Sequence, residues 1–139
     1  MKVLFVHERF GAFAGAEANA HAVALEFRRR GHEVGLLHGP GTGRGEAAWR
    51  QTFSGCYELA VTPAAEALAQ FNPDLIYVHN LPDLEVLETL LGSGRPAVRM
   101  VHDHALYCMR GYKYNVFTRR ICTRAISPHC LIPCGGFLK

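Results

Sequence analysis

Short apolar runs alternate with amphipathic segments through roughly the first hundred residues, and this alternation limits the fold more than any other feature of the sequence. Lys2–His7 is apolar and contains β-branched and aromatic residues, which is typical of a strand buried on both faces. From Ala16 to Phe27 apolar residues recur at helical spacing, and Gly31 follows a basic last turn as a helix terminator. Further apolar runs and helical segments follow in turn.

The pattern predicts strands at Lys2–His7, Glu33–His38, Tyr57–Val61, Asp74–His79 and Ala97–His102. It predicts helices at Ala16–Arg30, Glu46–Thr52, Pro63–Phe71 and Pro82–Leu91. Strands and helices that alternate in this way form a parallel sheet with helices on both faces. The sequence therefore predicts an α/β fold, a Rossmann-like three-layer domain with a mostly parallel sheet.

The regular pattern stops after Asp103, and an irregular, basic, cysteine-rich segment follows. We expect one Rossmann-like domain over residues 1–104, with residues 105–139 as an extension or insertion of the same domain. Residues 1–104 hold 9 Lys and Arg against 12 Asp and Glu, whereas residues 105–139 hold 6 Lys and Arg and no acid. Such a basic end attracts nucleic acid, phosphorylated ligands or an anionic membrane surface, or is simply solvated.

No apolar run approaches the roughly 18 residues of a membrane span. The first residues do not resemble a secretory signal. We therefore expect a cytoplasmic protein, with peripheral membrane association as the other option.

Ligands of open parallel sheets bind beyond the carboxyl ends of the strands, so the residues that follow each strand are the first candidates for a site. A histidine placed there can transfer a proton or hydrogen-bond a hydroxyl group, and a neighbouring carboxylate can fix its tautomer. The alternative is that these histidines only pack. The polar residues at three predicted strand ends are Glu8, Arg9, His79, Asn80, His102 and Asp103.

The stretch "FGAFAGAEANA", Phe10–Ala20, joins the first strand to the first helix with small and mostly uncharged residues. A glycine-containing loop at a helix N-terminus offers backbone N–H groups and a positive dipole end to an anion. The stretch lacks the G-x-G-x-x-G dinucleotide pattern, and no Lys follows it as in a phosphate-binding loop. A tight turn with close helix–sheet packing explains the same residues.

Three stretches resemble family 4 (group 1) glycosyltransferases. "GAEANAHAVALEFRRRGHEV" resembles that family's first helix, and "NPDLIYVHN" and "VRMVHD" look like two of its later strands. Their order and spacing agree with the family over about Lys2–Cys108. The chain departs from the family pattern at Ala14, where a glycine is usual and where alanine tolerates positive φ poorly.

The resemblance implies the acceptor-side domain of a GT-B enzyme that moves a sugar from a nucleotide-sugar donor to a glycan or lipid-linked acceptor, with retention and without a metal. It implies that Gly15, Ala16 and Glu17 approach the donor phosphate or sugar, with Glu17 serving the helix N-terminus first. His102 would be catalytic, and His79, Asn80 and Asp103 would bind the acceptor. The donor-binding C-terminal domain is expected to be absent from this chain, which alone would then be inactive.

The end of the chain holds four of the five cysteines, in the spacing C-x13-C-x7-C-x3-C. Cys108, Cys122, Cys130 and Cys134 could form a tetrahedral zinc site, although no C-x2-C pair is present. An iron–sulfur cluster, free thiols and disulfides are the alternatives. The aromatic and basic residues interleaved with these cysteines could grip an acceptor, or only pack and be solvated; they are Tyr107, Tyr112, Tyr114, Phe117, Arg110, Lys113, Arg119, Arg120 and Arg124.

Two functions from other classes fit the same sequence. The first is a non-catalytic nucleotide- or anion-binding α/β module. The second is nucleic-acid binding through the basic, cysteine-rich end, where interleaved aromatic and Arg side chains suit single strands. No RNA-binding signature is present, which makes nucleic acid the weaker of the two.

Overall fold

The structure is a computed structural model that describes residues 1–104, 107–115, 118–131 and 134. The chain divides into two compact units, Met1–Met100 and Val101–Lys139. We call them the sheet unit and the cysteine unit and describe each by itself. Phe117, one of the aromatic residues singled out above, lies outside the described residues.

The sheet unit alternates strands and helices along the chain. Its strands are β1 (Lys2–His7), β2 (Glu33–His38), β3 (Gly55–Glu58), β4 (Leu75–Val78) and β5 (Ala97–Arg99). Its helices are α1 (Gly15–Arg29), α2 (Glu46–Thr52), α3 (Ala64–Phe71) and α4 (Leu84–Gly92).

The five strands form one parallel sheet in the order β3-β2-β1-β4-β5. The chain builds outward from β1 to β3 on one side and then crosses to β4 and β5 on the other. The strand order therefore changes direction between β1 and β4, and ligands of open α/β sheets bind at such a point.

Side chains of β1 alternate between two apolar cores, because successive residues of a strand point to opposite faces. Val3 and Phe5 pack with Ala20, Ala24 and other residues of the face that α1 and α2 cover. Leu4 and Val6 pack with residues of α3 and α4 on the other face. The α/β prediction is confirmed, with helices on both faces of a parallel sheet.

Most predicted elements lie where the sequence placed them, and two strands do not. β1, β2 and α2 have the predicted bounds, and Gly31 ends α1 with a φ of +82°. β3 begins at Gly55 and ends at Glu58, earlier than predicted. β5 ends at Arg99 rather than at His102. The prediction that His102 closes this strand is therefore wrong.

The cysteine unit contains an antiparallel hairpin, whose two strands are two residues long each, and one short helical turn. Strand β6 (Tyr114–Asn115) pairs with β7 (Arg120–Ile121), and a 3₁₀ turn spans Pro128–Cys130. None of its described residues is buried, although several are large and apolar. Across the described part of both units, the structure has no helix with the length and apolar character of a membrane span.

Gly39, directly after β2, lies against the backbone of the residue that follows β1. A Cβ atom at this position would lie 2.0 Å from the carbonyl oxygen of Glu8, a backbone atom that cannot move aside without shifting the loop. We expect Gly39→Ala to lower the free energy of unfolding by about 1–3 kcal/mol, as overpacking does.

Urea unfolding followed by circular dichroism measures this effect. Gly92→Ala, at the end of α4, is the matched control, because a Cβ there would meet nothing within 4 Å beyond its chain neighbours and the backbone of its own helix. We expect Gly92→Ala to be neutral or stabilising by up to about 1 kcal/mol. Equal stability of the two variants would contradict the close approach at Gly39.

Candidate functional site

The loop that follows β1 is tied to the ends of both neighbouring strands. The Glu8 amide donates to the carbonyl of Asn80, beyond β4, over 2.7 Å. On the other side, the Gly39 amide donates to the carbonyl of His7 over 3.1 Å, and the Phe10 amide donates to that of Pro40 over 3.0 Å. The loop is thereby fixed at the carboxyl edge, where the strand order changes direction.

The same loop also runs beside the segment that follows β2. The Thr42 amide donates to the Phe10 carbonyl over 2.9 Å, and the Ala12 amide donates to the Arg44 carbonyl over 2.7 Å. Gly11 adopts a φ of +108°, and a Cβ there would lie 2.4 Å from the Arg44 carbonyl oxygen. A glycine is required at this point for both reasons.

The start of α1 is open to solvent, but a carboxylate of the helix itself, that of Glu17, already lies there. Phe13, Ala14 and Gly15 are exposed, and a Cβ built on Gly15 would meet nothing within 4 Å beyond its chain neighbours and the backbone of its own helix. Glu17 turns inward, is 3% exposed, and accepts a hydrogen bond from the Ala14 amide over 2.9 Å. Glu17 therefore serves the helix N-terminus, as its position in the sequence predicted.

Three histidines lie at the ends of the three adjacent strands β2, β1 and β4 and face the α1–α2 side of the sheet. They are His38, His7 and His79, and all three are buried. The sequence analysis singled out only His79. The alternation within Lys2–His7 could have identified His7, because it shares a face with the core residues Val3 and Phe5.

His7 is positioned by the loop and by α1. Its Nδ1 accepts a hydrogen bond from the Arg9 amide over 3.1 Å, which places the proton of the neutral ring on Nε2. Nε2 lies 4.0 Å from the Glu17 carboxylate. This imidazole–carboxylate pair connects the end of β1 to the first turn of α1.

His79 packs inside the protein rather than at the ligand edge. It is 0% exposed and lies beside the rings of Phe5, at 5.6 Å between centroids, and Tyr77, at 4.6 Å. Its side chain faces the α1 side of the sheet, because residue 79 has the same parity as Tyr77. Asn80 is half-buried and contributes its carbonyl to the loop.

His38 is held by its own backbone and by Phe10. Its Nδ1 donates to the Gly39 carbonyl over 2.7 Å, and its ring stacks on Phe10 with 4.4 Å between centroids. Burial lowers the pKa of His38, and the hydrogen bond to Gly39 opposes this only in part. The ring is therefore neutral at neutral pH and acts as a packing group.

A shallow cleft of about 260 Å³ lies beside this loop, lined by Arg9, Phe13, Pro40, Gly41 and Thr42. The guanidinium of Arg9 lies over the Phe13 ring, 4.1 Å from its centroid. Phe13 is 63% exposed, so its ring contributes apolar surface to the cleft. Sequence analysis had identified Arg9 as a strand-end residue but missed Phe13 and Thr42, since a single aromatic residue in a loop carries no pattern.

His102 and Asp103 belong to the cysteine unit. His102 is half-buried, and Asp103 is exposed. The amide of their neighbour His104 donates to the Gly111 carbonyl over 3.0 Å, and its Nδ1 lies 3.2 Å from the Tyr107 hydroxyl. These contacts close a turn within the cysteine unit.

The cysteines are all free thiols. Cys108, Cys122, Cys130 and Cys134 line one small cavity. Burial raises the pKa of the Cys108 thiol, but hydrogen bonds from surrounding backbone amides outweigh it, so this pKa is lowered overall. Within the described residues no three His, Cys, Asp or Glu side chains form a ready metal-binding group, and the zinc site stays a prediction.

No protein-family model matches the chain, and no curated protein matches it. A solved structure from the universal stress protein family of Burkholderia pseudomallei is similar, with 12% identity and a TM-score of 0.37, over 69% of this chain and 94% of that one. A second, the structure of MT0777, has 17% identity and a TM-score of 0.33, over 75% of this chain and 90% of that one. Similarity at this level carries no information on ligands or chemistry.

No glycosyltransferase family model and no curated glycosyltransferase matches the chain, and neither of the two similar structures is described as one. The prediction that the chain is the acceptor-side domain of a family 4 glycosyltransferase lacks the family match that it requires and is wrong. The sugar-transfer roles, the nucleotide-sugar donor and the glycan or lipid-linked acceptor are withdrawn with it. The residues concerned are Gly15, Ala16, Glu17, His79, Asn80, His102 and Asp103.

The buried His38 predicts that the protein loses stability in acid. Because the pKa of His38 is lowered on folding, the unfolded chain binds a proton more readily. Stability is therefore full above the ordinary histidine pKa of about 6.5 and is lost as the pH falls toward the lower, folded-state value.

Urea unfolding between about pH 7.5 and 5 measures this slope, which for one group stays below about 1.4 kcal/mol per pH unit. We expect the slope to decrease in His38→Gln and to be retained in His32→Gln, whose side chain is only partly buried. An unchanged slope in His38→Gln would show that His38 does not carry the effect.

Proposed function

We propose that the sheet unit is a non-catalytic module that binds a phosphate-bearing nucleotide in the cleft beside β1 and β2. The observation that carries this proposal is the pairing of Arg9 with the exposed Phe13 ring at the carboxyl edge of a parallel sheet. Ligands of open α/β sheets bind at this edge.

Arg9 supplies the positive charge. A guanidinium binds phosphate oxygens through two parallel N–H groups, which a lysine ammonium cannot do. The Phe13 ring holds the guanidinium from one face. This contact reduces the side-chain freedom that Arg9 loses when it binds a phosphate.

The rest of the cleft suits the other parts of a nucleotide. Phe13 and Pro40 offer apolar surface against which a base can stack, and Thr42 offers a hydroxyl group. The volume of about 260 Å³ lies just below the usual range for ligand pockets of roughly 300–1,000 Å³. We therefore expect part of the ligand to stay in solvent and the affinity to be modest.

The two nearby helix starts contribute little to phosphate binding, because each already holds a carboxylate. Glu17 accepts the Ala14 amide at α1, and Glu46 accepts the Gly43 amide at 2.9 Å beside α2. These carboxylates oppose the helix dipoles. Binding therefore depends on Arg9, which sets this cleft apart from a phosphate-binding loop.

Arg9→Ala tests the proposal. Loss of a charge-assisted hydrogen bond costs about 1.5–3 kcal/mol, so we expect the affinity for adenosine diphosphate to fall about tenfold or more. Isothermal titration calorimetry at low salt measures it. Arg29→Ala is the matched control, because Arg29 lies in the last turn of α1 and pairs with Glu26.

Phe13→Ala separates the two parts of the ligand. We expect it to weaken adenosine diphosphate and to leave inorganic phosphate nearly unchanged. A folded wild-type protein that binds neither ligand at millimolar concentration, or an Arg9→Ala variant that binds as well as wild type, would overturn the proposal.

Glu17→Gln is expected to raise the affinity for adenosine diphosphate, whereas Arg9→Ala is expected to lower it. The amide oxygen of glutamine can still accept from the Ala14 N–H, but the negative charge at the helix start is lost. A charge at this position contributes about 0.3–1 kcal/mol. We expect the affinity for adenosine diphosphate to rise about two- to fivefold by the same calorimetry. Weaker binding in a folded Glu17→Gln protein would contradict this electrostatic account.

A further inference from the structure

The described residues of the cysteine unit show little apolar packing. Its described residues include large apolar side chains, yet none of the described residues is buried. The exposed ones are Val101, Tyr107, Met109, Tyr112, Tyr114, Ile121, Ile126 and Leu131. Chains of about 40 residues or fewer usually need disulfides, a metal or a partner to fold. The unit's four cysteines make disulfides and a metal ion the two sources to consider.

The hairpin brings two cysteines to the same end. Cys108 precedes β6 in a turn closed by a hydrogen bond from the Gly111 amide to its carbonyl, at 2.8 Å. Cys122 follows β7 directly, and its amide donates to the Lys113 carbonyl over 2.7 Å, which extends the β6–β7 pairing by one step. Antiparallel pairing therefore places the Cys108 turn and Cys122 at the open end of the hairpin.

A second turn brings the other two cysteines to the same place. Cys130 ends the 3₁₀ turn, its amide donating to the Ser127 carbonyl over 2.8 Å. The Cys134 amide donates to the His129 carbonyl over 3.3 Å. All four cysteines line one cavity of about 10 Å³, which is about the space of a single small ion or water molecule.

We propose that Cys108, Cys122, Cys130 and Cys134 bind one Zn²⁺ ion as a four-thiolate site that holds the cysteine unit together. Zinc in structural sites takes four ligands in a tetrahedron, with Zn–S distances of about 2.3 Å. The four thiols surround the cavity but do not yet converge to those distances among the described residues. Binding would draw three short segments inward around the ion.

The surroundings of the cavity fit a charged thiolate site better than two disulfides. Four thiolates exceed the charge of one divalent ion by two, and Arg110, Lys113 and Arg124 line the same cavity. Arg110 donates to the Cys134 carbonyl over 3.3 Å. Two neutral disulfides would need neither feature.

The first experiment measures bound metal in the full 139-residue chain, purified under reducing conditions from cells grown with added zinc. We expect about one zinc ion per chain by elemental analysis. Cys56→Ser is the matched control, because Cys56 lies in β3 of the sheet unit. We expect zinc to be retained in Cys56→Ser and lost in Cys122→Ser and in Cys130→Ser.

Replacement of zinc by Co²⁺ tests the ligands without requiring any variant to fold. We expect the cobalt-loaded wild-type protein to show sulfur-to-cobalt charge transfer and the strong visible bands of a tetrahedral thiolate site. When a chelator removes the metal, we expect the cysteine unit to lose protection from amide hydrogen exchange. Three results would each overturn the proposal. The first is a metal-free wild-type protein whose cysteine unit is as well protected from amide hydrogen exchange as in the zinc-loaded protein. The second is a molecular mass that shows two disulfides in the folded protein. The third is that elemental analysis finds iron instead of zinc.

Discussion

The central strand β1 is the constraint on which the sheet unit depends. It is hydrogen-bonded to β2 on one side and to β4 on the other, and its loop is then bonded to the segments that follow both neighbours. Because β1 is apolar on both faces, one register places Val3 and Phe5 under α1 and Leu4 and Val6 under α3 and α4. A slip of one residue would exchange the two cores. The position of the cleft follows from this register, because the loop begins where β1 ends.

The two carboxylates at the carboxyl edge of the sheet already have partners within the protein. Glu17 is buried between the Ala14 amide and the His7 ring, and Glu46 is bonded to the Gly43 amide. The positive dipole ends at the starts of α1 and α2 are thus balanced by the carboxylates of Glu17 and Glu46, which belong to the same helices. Among the residues that line the cleft, Arg9 is the one that carries a positive charge.

Sequence patterns identified the fold because buried parallel strands are continuous apolar runs and helices have a distinct period. β3 was placed too late, since Gly55–Glu58 mixes small, aromatic and charged residues and carries no clear period. The family resemblance failed for a related reason. An acidic residue in the first turn of a helix, basic residues in the last and a glycine beyond it are general features of helix ends. They occur in many α/β proteins, so they identify an element and not an activity.

The side-chain partners at the carboxyl edge could not be predicted from the sequence, because hydrogen bonds such as that from the Arg9 amide to His7 depend on how the loop folds back.

The packing of the α1–α2 core also gives the protein an intrinsic fluorescent probe. Trp49 is its single tryptophan, and its buried ring lies 6.2 Å from that of His7 and 5.6 Å from that of His21. Its fluorescence therefore reports the state of the α1–α2 core next to the cleft, while the cysteine unit contributes no tryptophan signal.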